Sequence, residues 1–397
     1  MPEDSALLTR ASIGPKYLTD PAPDREEWQA ILRFLENAPC HDDAYPFRVV
    51  ICEDREMLGE IFLAELREDA YEAAREQAHR RWAACAKPLG SLGLLETALE
   101  DIAALTGDAQ APLLPRAVLV LCADNGVVAQ GVTQTDSSVT AAVTRNLAAG
   151  RTSVCRMAQA AQCAVVPVDM GVRDFAPQPG VLARRIGNGT GDITQGPAMT
   201  RAQAEQAVLA GAELVRTQKE KGVRLLATGE MGIGNTTTAS AVASVLLGRA
   251  PVEMTGRGAG LSDEGLRRKV AAIERAVALS RPAADDPLDV LAKVGGFDIA
   301  GMCGVFLGGA ACRVPVLADG FISAVAALCA VRLCPAAAKA VLASHVSAEP
   351  AGMLLLDALR KKPLITAGMR LGEGTGAVAA MPLLDMARAV YMDCYTF

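Results

Sequence analysis

Short apolar runs alternate with helix-spaced stretches along most of this 397-residue chain. AELREDAYEAAREQAHRRWAACA (64–86) lacks Gly and Pro and predicts a long helix. SLGLLETALEDIAALTG (91–107) predicts a second, with Ser91 near its start. AVLVLCAD (117–124) and CAVVPVDMGV (163–172) have the apolar density of buried strands, and VPVLADGF (314–321) is a further one. RLLATGEMGIGN (224–235) reads as strand then glycine turn, running into the helix TTTASAVASVLLG (236–248). Strands alternating with helices predict an α/β fold with a mainly parallel sheet. Parallel sheets place ligands outside the carboxyl ends of their strands, where Asp124, Asp169, Glu230 and Asp319 fall.

The most apolar stretch, 299–331, is interrupted by Arg313 and Asp319, so no clean membrane span remains. Buried helix and strand segments are the expectation there. Aromatic residues make up only 4% of the chain, so Ala, Val, Leu and Ile must build the core. A net charge of −6 without a Lys/Arg cluster excludes nucleic acid as a natural partner. MPEDSALLTR has no apolar h-region of a secretory signal. The eleven cysteines form no CxxC, and with three histidines they read as buried free thiols rather than zinc ligands. Free thiols persist in a reducing compartment, which predicts a cytoplasmic protein.

Two turns carry the candidate chemistry. GEMGIGNTTT (229–238) combines glycines, which permit close backbone approach, with Asn235, Thr236 and Thr237 at a helix start, as a phosphate cradle would. Its plain alternative is a strand-to-helix turn with threonine caps. RLGEGTGA (370–377) places Glu373 in a second glycine turn, where an acid is poorly placed for anions and well placed to take a proton. Its glycines superficially match a dinucleotide fingerprint, but no further strand with an acid follows. GRGAGLSDEGLRRK (256–269) is a third glycine turn, with Lys269 either neutralising a phosphate or merely solvated. ASHVSAEP (343–350) offers Ser344, His345, Ser347 and Glu349 ahead of a helix. No GxSxG elbow accompanies them, so capping is their expected role, with His345 within reach of a site.

KPLGSLGLLE, ADNGVVAQGV, GEMGIGNTTTAS, GRGAGL with Lys269, GGFDIAGMCGVFLGGA, VPVLADGFISAVAAL, ASHVSAEP and RLGEGTGA occur in one order between residues 87 and 377. Together they resemble the nicotinate-nucleotide–dimethylbenzimidazole phosphoribosyltransferases of cobalamin biosynthesis. The resemblance implies transfer of ribose 5-phosphate from nicotinate mononucleotide to a benzimidazole-type base. It implies Glu373 as the catalytic base, and Glu230, Gly232, Ile233, Gly234, Asn235, Lys269, Leu371, Asp319 and His345 as the substrate-binding set. It further implies a Rossmann-like sheet flanked by helices, a smaller helical domain from both chain ends, a homodimer, and neither cofactor nor metal. A catalytically idle nucleotide-binding relative is the alternative, and a flavin-dependent oxidoreductase a third.

The family pattern is broken on the acceptor side. Asn125 stands where the family usually has a histidine, Ala142 near an expected glutamine, and Val346 and Gly352 replace an arginine and a histidine. These departures predict altered or relaxed acceptor choice, for example another benzimidazole, a purine or a phenol. Residues 10–54 look like the opening of a nitroreductase-type flavoprotein through Arg10, Ser12 and Pro46-Phe47-Arg48. The expected organisation is an N-terminal extension, 1–68, that is a remnant or docking segment, followed by the transferase region, 69–397.

Overall fold

The computed structural model describes residues 68–396. The nitroreductase-like reading of residues 10–54 lies outside them. In chain order the elements are α1 (Glu68–Ala84), α2 (Leu94–Thr106), β1 (Arg116–Ala123), α3 (Ser138–Ala148), α4 (Ser153–Ala160), β2 (Cys163–Gly171), β3 (Leu182–Ala183) and α5 (Arg201–Glu220). There follow β4 (Leu225–Met231), α6 (Asn235–Leu247), α7 (Pro251–Met254), α8 (Asp263–Ser280), α9 (Pro287–Val294) and α10 (Phe297–Cys312). The chain continues through β5 (Val316–Ala318), α11 (Phe321–Leu333), β6 (Val341–Ala343), α12 (Gly352–Ala358) and α13 (Thr375–Asp393).

The strands form one sheet in the order β3-β2-β1-β4-β5-β6, with every pairing parallel. This is the doubly wound Rossmann arrangement, in which the chain runs outward in opposite directions from β1 and β4 and opens a crevice at their carboxyl ends. The dinucleotide fingerprint fails, yet the Rossmann-like parallel sheet expected from the resemblance is present. Periodicity points to β1, β2, β4 and β5 but misses β3 and β6. Those two have only two and three residues, too few for a hydrophobic period, and exist through pairing with β2 and β5.

The stretch 299–331 resolves into most of α10, then β5, then most of α11. Among the described residues no helix is long and apolar enough to cross a membrane. Every residue of α10 is buried, because it runs against α5 at backbone distance. A Cβ on Gly304 would lie 1.8 Å from the Val208 carbonyl oxygen, so only glycine permits that approach.

Helices from both ends of the described chain meet. Trp82 on α1 packs on Tyr391 of α13 with ring centroids 4.8 Å apart, and Arg81 donates to the Tyr391 and Met392 carbonyls. The buried cluster runs without a break from Trp82, Ile102 and Tyr391 to Val118 and Leu225 in the sheet. One expected detail differs: α2 begins after Gly93, not at Ser91. No side chain caps this helix start; Glu96 in its first turn accepts the Leu92 N–H at 2.8 Å and the Lys87 ammonium at 2.7 Å, fastening the preceding turn to the helix.

Candidate active site

The two glycine turns lie against each other at the carboxyl ends of β1, β4 and β5. After β4, Gly234 caps α6 in the left-handed region with φ 93°. Across from it, Gly372, Glu373 and Gly374 have φ values of 87°, 60° and 88° in succession. For Glu373 that conformation is strained, and strain held by surrounding structure concentrates at functional positions. The holding contacts are identifiable. A Cβ on Gly229 would come within 2.5 Å of the Glu373 carbonyl oxygen, so β4 receives the turn directly against its backbone. Asp319, one residue beyond β5, accepts the N–H groups of Gly374 (3.3 Å), Gly376 (2.8 Å) and Ala377 (3.0 Å). Its carboxylate is thereby committed to the N-terminus of α13, where a negative charge is favoured.

His345 stands behind this turn. It is 4% exposed and pressed on Gly376, with Nδ1 3.8 Å from Asp319 Oδ1 and 3.2 Å from the Ser344 hydroxyl. The capping role expected for Ser344, His345 and Ser347 is not what they do. Ser344 Oγ donates to the Ala318 carbonyl, joining β6 to β5, and α12 begins at Gly352, after Ala351, with no side-chain cap. The segment follows a strand that periodicity does not reveal, so its polar groups face the sheet end instead of a helix start.

Glu230 and Glu373 stand where the end of β4 and the 372–374 turn abut. Glu230 Oε1 would sit 2.5 Å from a Cβ on Gly372, directly beside the strained turn. Glu373 Oε2 is buried and accepts no hydrogen bond among the described residues. Burial raises the Glu373 carboxyl above its ordinary value; the Val154 N–H and Thr152 hydroxyl at the start of α4 pull it back, and Asp319 adds to the rise. Burial also pushes Glu230 well up, opposed by the Asn235 amide and reinforced by Asp298, Asp319 and Glu373. An unpaired buried carboxylate oxygen with heightened basicity is equipped to take a proton.

Lys269 is fully buried, which removes the solvated alternative. Its Nζ donates to Thr236 Oγ1 at 2.8 Å and to the Gly256 carbonyl at 3.2 Å, tying the 256–269 turn to the first turn of α6. Glu349 holds the same turn by accepting the Gly258 N–H at 3.1 Å. Desolvation lowers the Lys269 pKa to about 8, against the opposing pull of Glu349. The ammonium is therefore present below that pH and lost above it. Affinity for a phosphorylated donor is expected to fall as pH rises through about 8, read as Kd by calorimetry between pH 7 and 9.5. Stability should move the other way over that window: the unfolded lysine still binds a proton there and the native one does not, so the native state gains as pH rises. A Kd independent of pH across the window would remove Lys269 from the anion site.

The structure thus brings Glu230, Gly232, Ile233, Gly234, Asn235, Asp319, His345 and Glu373 together, with Lys269 joined through Thr236. Leu371 is 57% exposed at the rim. Asn125 is 1% exposed at the end of β1 and accepts from Thr238 Oγ1 at 3.1 Å, inside the switch-point crevice. Sequence reasoning passed over Asp298 as a member of this constellation, and expected Glu349 to cap a helix where it instead holds the 256–269 turn. Asp298 carried a signal, an acid directly after Gly-Gly-Phe in an otherwise apolar helix; Glu349 carried none beyond its neighbourhood.

Residues 68–397 match the family model described as Phosphoribosyltransferase. Among curated proteins, the nicotinate-nucleotide–dimethylbenzimidazole phosphoribosyltransferase of Acetivibrio thermocellus is 46% identical over 329 residues, 83% of this chain and 94% of that protein. The one from Ruminiclostridium cellulolyticum is 48% identical, covering 81% and 92%. The chain belongs to this family. The crystal structure of CobT from Thermus thermophilus superposes with a TM-score of 0.77 at 42% identity, covering 80% of this chain and 96% of that one. The span matched by the family model takes in both glycine turns, Glu230, Lys269 and Glu373.

Proposed function

We propose that this phosphoribosyltransferase moves ribose 5-phosphate from nicotinate mononucleotide to 5,6-dimethylbenzimidazole or a related base, with Glu373 as the base. An azole nitrogen attacks C1′ from the face opposite nicotinate. The C1′–N bond to nicotinate breaks, its electron pair returning to the pyridine nitrogen, and an α-riboside forms. The azole N–H becomes acidic as the bond forms, and its proton passes to Glu373. Orientation and a base are what such a reaction needs from a protein, because the pyridinium is already a good leaving group. The observation that carries this reading is the unpartnered Glu373 Oε2 on a strained turn beside Glu230.

The Gly232–Asn235 backbone at the start of α6, with Lys269 behind Thr236, receives the phosphate in this reading. Leu371 lines the rim. Glu230 orients the ribose, while Asp319 and His345 act by holding the Glu373 turn. The protein works as a homodimer in the cytoplasm, in keeping with the free cysteines among the described residues. Residues 1–68 form an extension to the transferase region, which the span of the family model supports. Acceptor choice is altered or relaxed through Asn125, Ala142, Val346 and Gly352.

Nicotinate release from nicotinate mononucleotide, with and without a panel of acceptors, tests the reading. Acceptor-dependent release is expected, with bases besides dimethylbenzimidazole accepted. No release with any acceptor would reject the transferase, and strict use of dimethylbenzimidazole would reject altered acceptor choice alone.

A further inference from the structure

Asp298 is fully buried, ionisable and outside the transfer steps above. It stands in the first turn of α10, beside the crevice between β1 and β4. Asn235 Nδ2 donates to Asp298 Oδ2 at 3.0 Å and also to Glu230 Oε2. One amide nitrogen has two hydrogens, so each carboxyl group takes one. Both partners are carboxyl oxygens, which fixes the amide orientation: its nitrogen, not its oxygen, faces them. Asp298 Oδ1 accepts the Ile299 N–H at 3.0 Å, and hypothetical Cβ atoms on Gly296 and Gly232 would meet its two oxygens at 2.5 and 3.0 Å. The carboxylate has no room to turn.

We propose that Asp298, acting through the Asn235 amide, is a positioning residue that pins Oε2 of Glu230 and so sets its Oε1 beside the Gly372 turn. This rests on the placement of Glu230 in the transferase site. The two acids differ in surroundings. Asp298 lies at a helix N-terminus and takes a backbone N–H, which favours its charged form. Glu230 faces the carboxyl groups of Asp298, Asp319 and Glu373, and Asp298 in turn faces Asp124. Burial, the largest influence on both, brings Asp298 up to about 6 and Glu230 well above its ordinary value. Both carboxyl groups are pushed toward their protonated forms, Glu230 the more strongly, so Glu230 is the acid of the pair that holds a proton more readily. With Oε2 accepting from the amide, a proton held by Glu230 resides on Oε1, the oxygen beside Gly372. A hydroxyl there suits an oxygen-rich ligand, the ribose or phosphate of the donor, where a second carboxylate would repel it.

The test uses the full chain with carboxyl-13C glutamate, the Glu230 signal being assigned by its loss in Glu230→Gln. Glu230 is expected to titrate well above the ordinary carboxylate range. Asp298→Asn keeps the shape and removes the charge, so the Glu230 midpoint should fall by about one unit or more. Its kcat/KM for nicotinate mononucleotide should fall about tenfold, with no added loss when the same change is made in Glu230→Gln. A Glu230 midpoint within the ordinary carboxylate range in the parent, an unmoved midpoint in Asp298→Asn, or independent losses in the two variants would overturn the proposal. Should Asp298→Asn fail to fold, the parent titration alone decides. Absence of transfer by the parent would reject the transferase reading, while the titration would still test the link between the two acids.

Discussion

Glu373→Gln should lower kcat by about 10²–10⁴-fold, the range a positioned general base contributes, while leaving the binding of nicotinate mononucleotide little changed. The amide is nearly isosteric, so the run of left-handed residues from Gly372 to Gly374 and its seat on Gly229 can persist. What disappears is the basic oxygen. In the parent, burial raises the Glu373 carboxyl, so activity should be lost as pH falls through that raised value and the base becomes protonated. The variant should lack this acidic limb. Stopped-time measurement of nicotinate release, with donor affinity by calorimetry, separates the two effects. Unchanged kcat in Glu373→Gln would take the base role away from this residue.

Asp319→Ala should be nearly as damaging by a different route. Three backbone N–H groups at the start of α13 lose their shared acceptor. A buried donor left unpaired costs about 1–3 kcal/mol, and the cap itself adds to this. Roughly 5 °C or more of Tm should be lost. The turn carrying Glu373 would also be released from its strained geometry, and a misplacement of about 1 Å is worth about 10²-fold in rate. Asp319→Asn should fall between the variant and the parent, since one oxygen can still accept from Gly376 and Ala377. Thermal melting and kcat must fall together. A raised KM with unaltered Tm and kcat would instead mean that Asp319 contacts substrate and does not anchor the turn.

Much of the site was legible in the chain because its parts are local. A strand that ends in an acid, a glycine turn and a polar helix start are each written in consecutive residues, and 224–248 and the glycine turn of 370–377 folded as read. The α/β class followed from the same alternation. Burial and partnership were not legible, because both depend on which distant segments become neighbours. Strand order places β4 between β1 and β5, and only then do Glu230, Asp319 and Glu373 come together. Lys269 looked the same as any helical lysine until α8 packed against α6 and hid it. Asp319 read as an acid open to ligand, yet packing handed it three N–H groups of another element. The strands β3 and β6 are too short to carry a period and owe their existence to the sheet they join. Sequence by itself determined the kind of chemistry available, through residue types at strand ends and turns. Tertiary structure decided which carboxyl group is pushed toward its protonated form, which holds a helix start and which keeps an unpaired oxygen, since charge and hydrogen bonding answer to the neighbours that folding supplies.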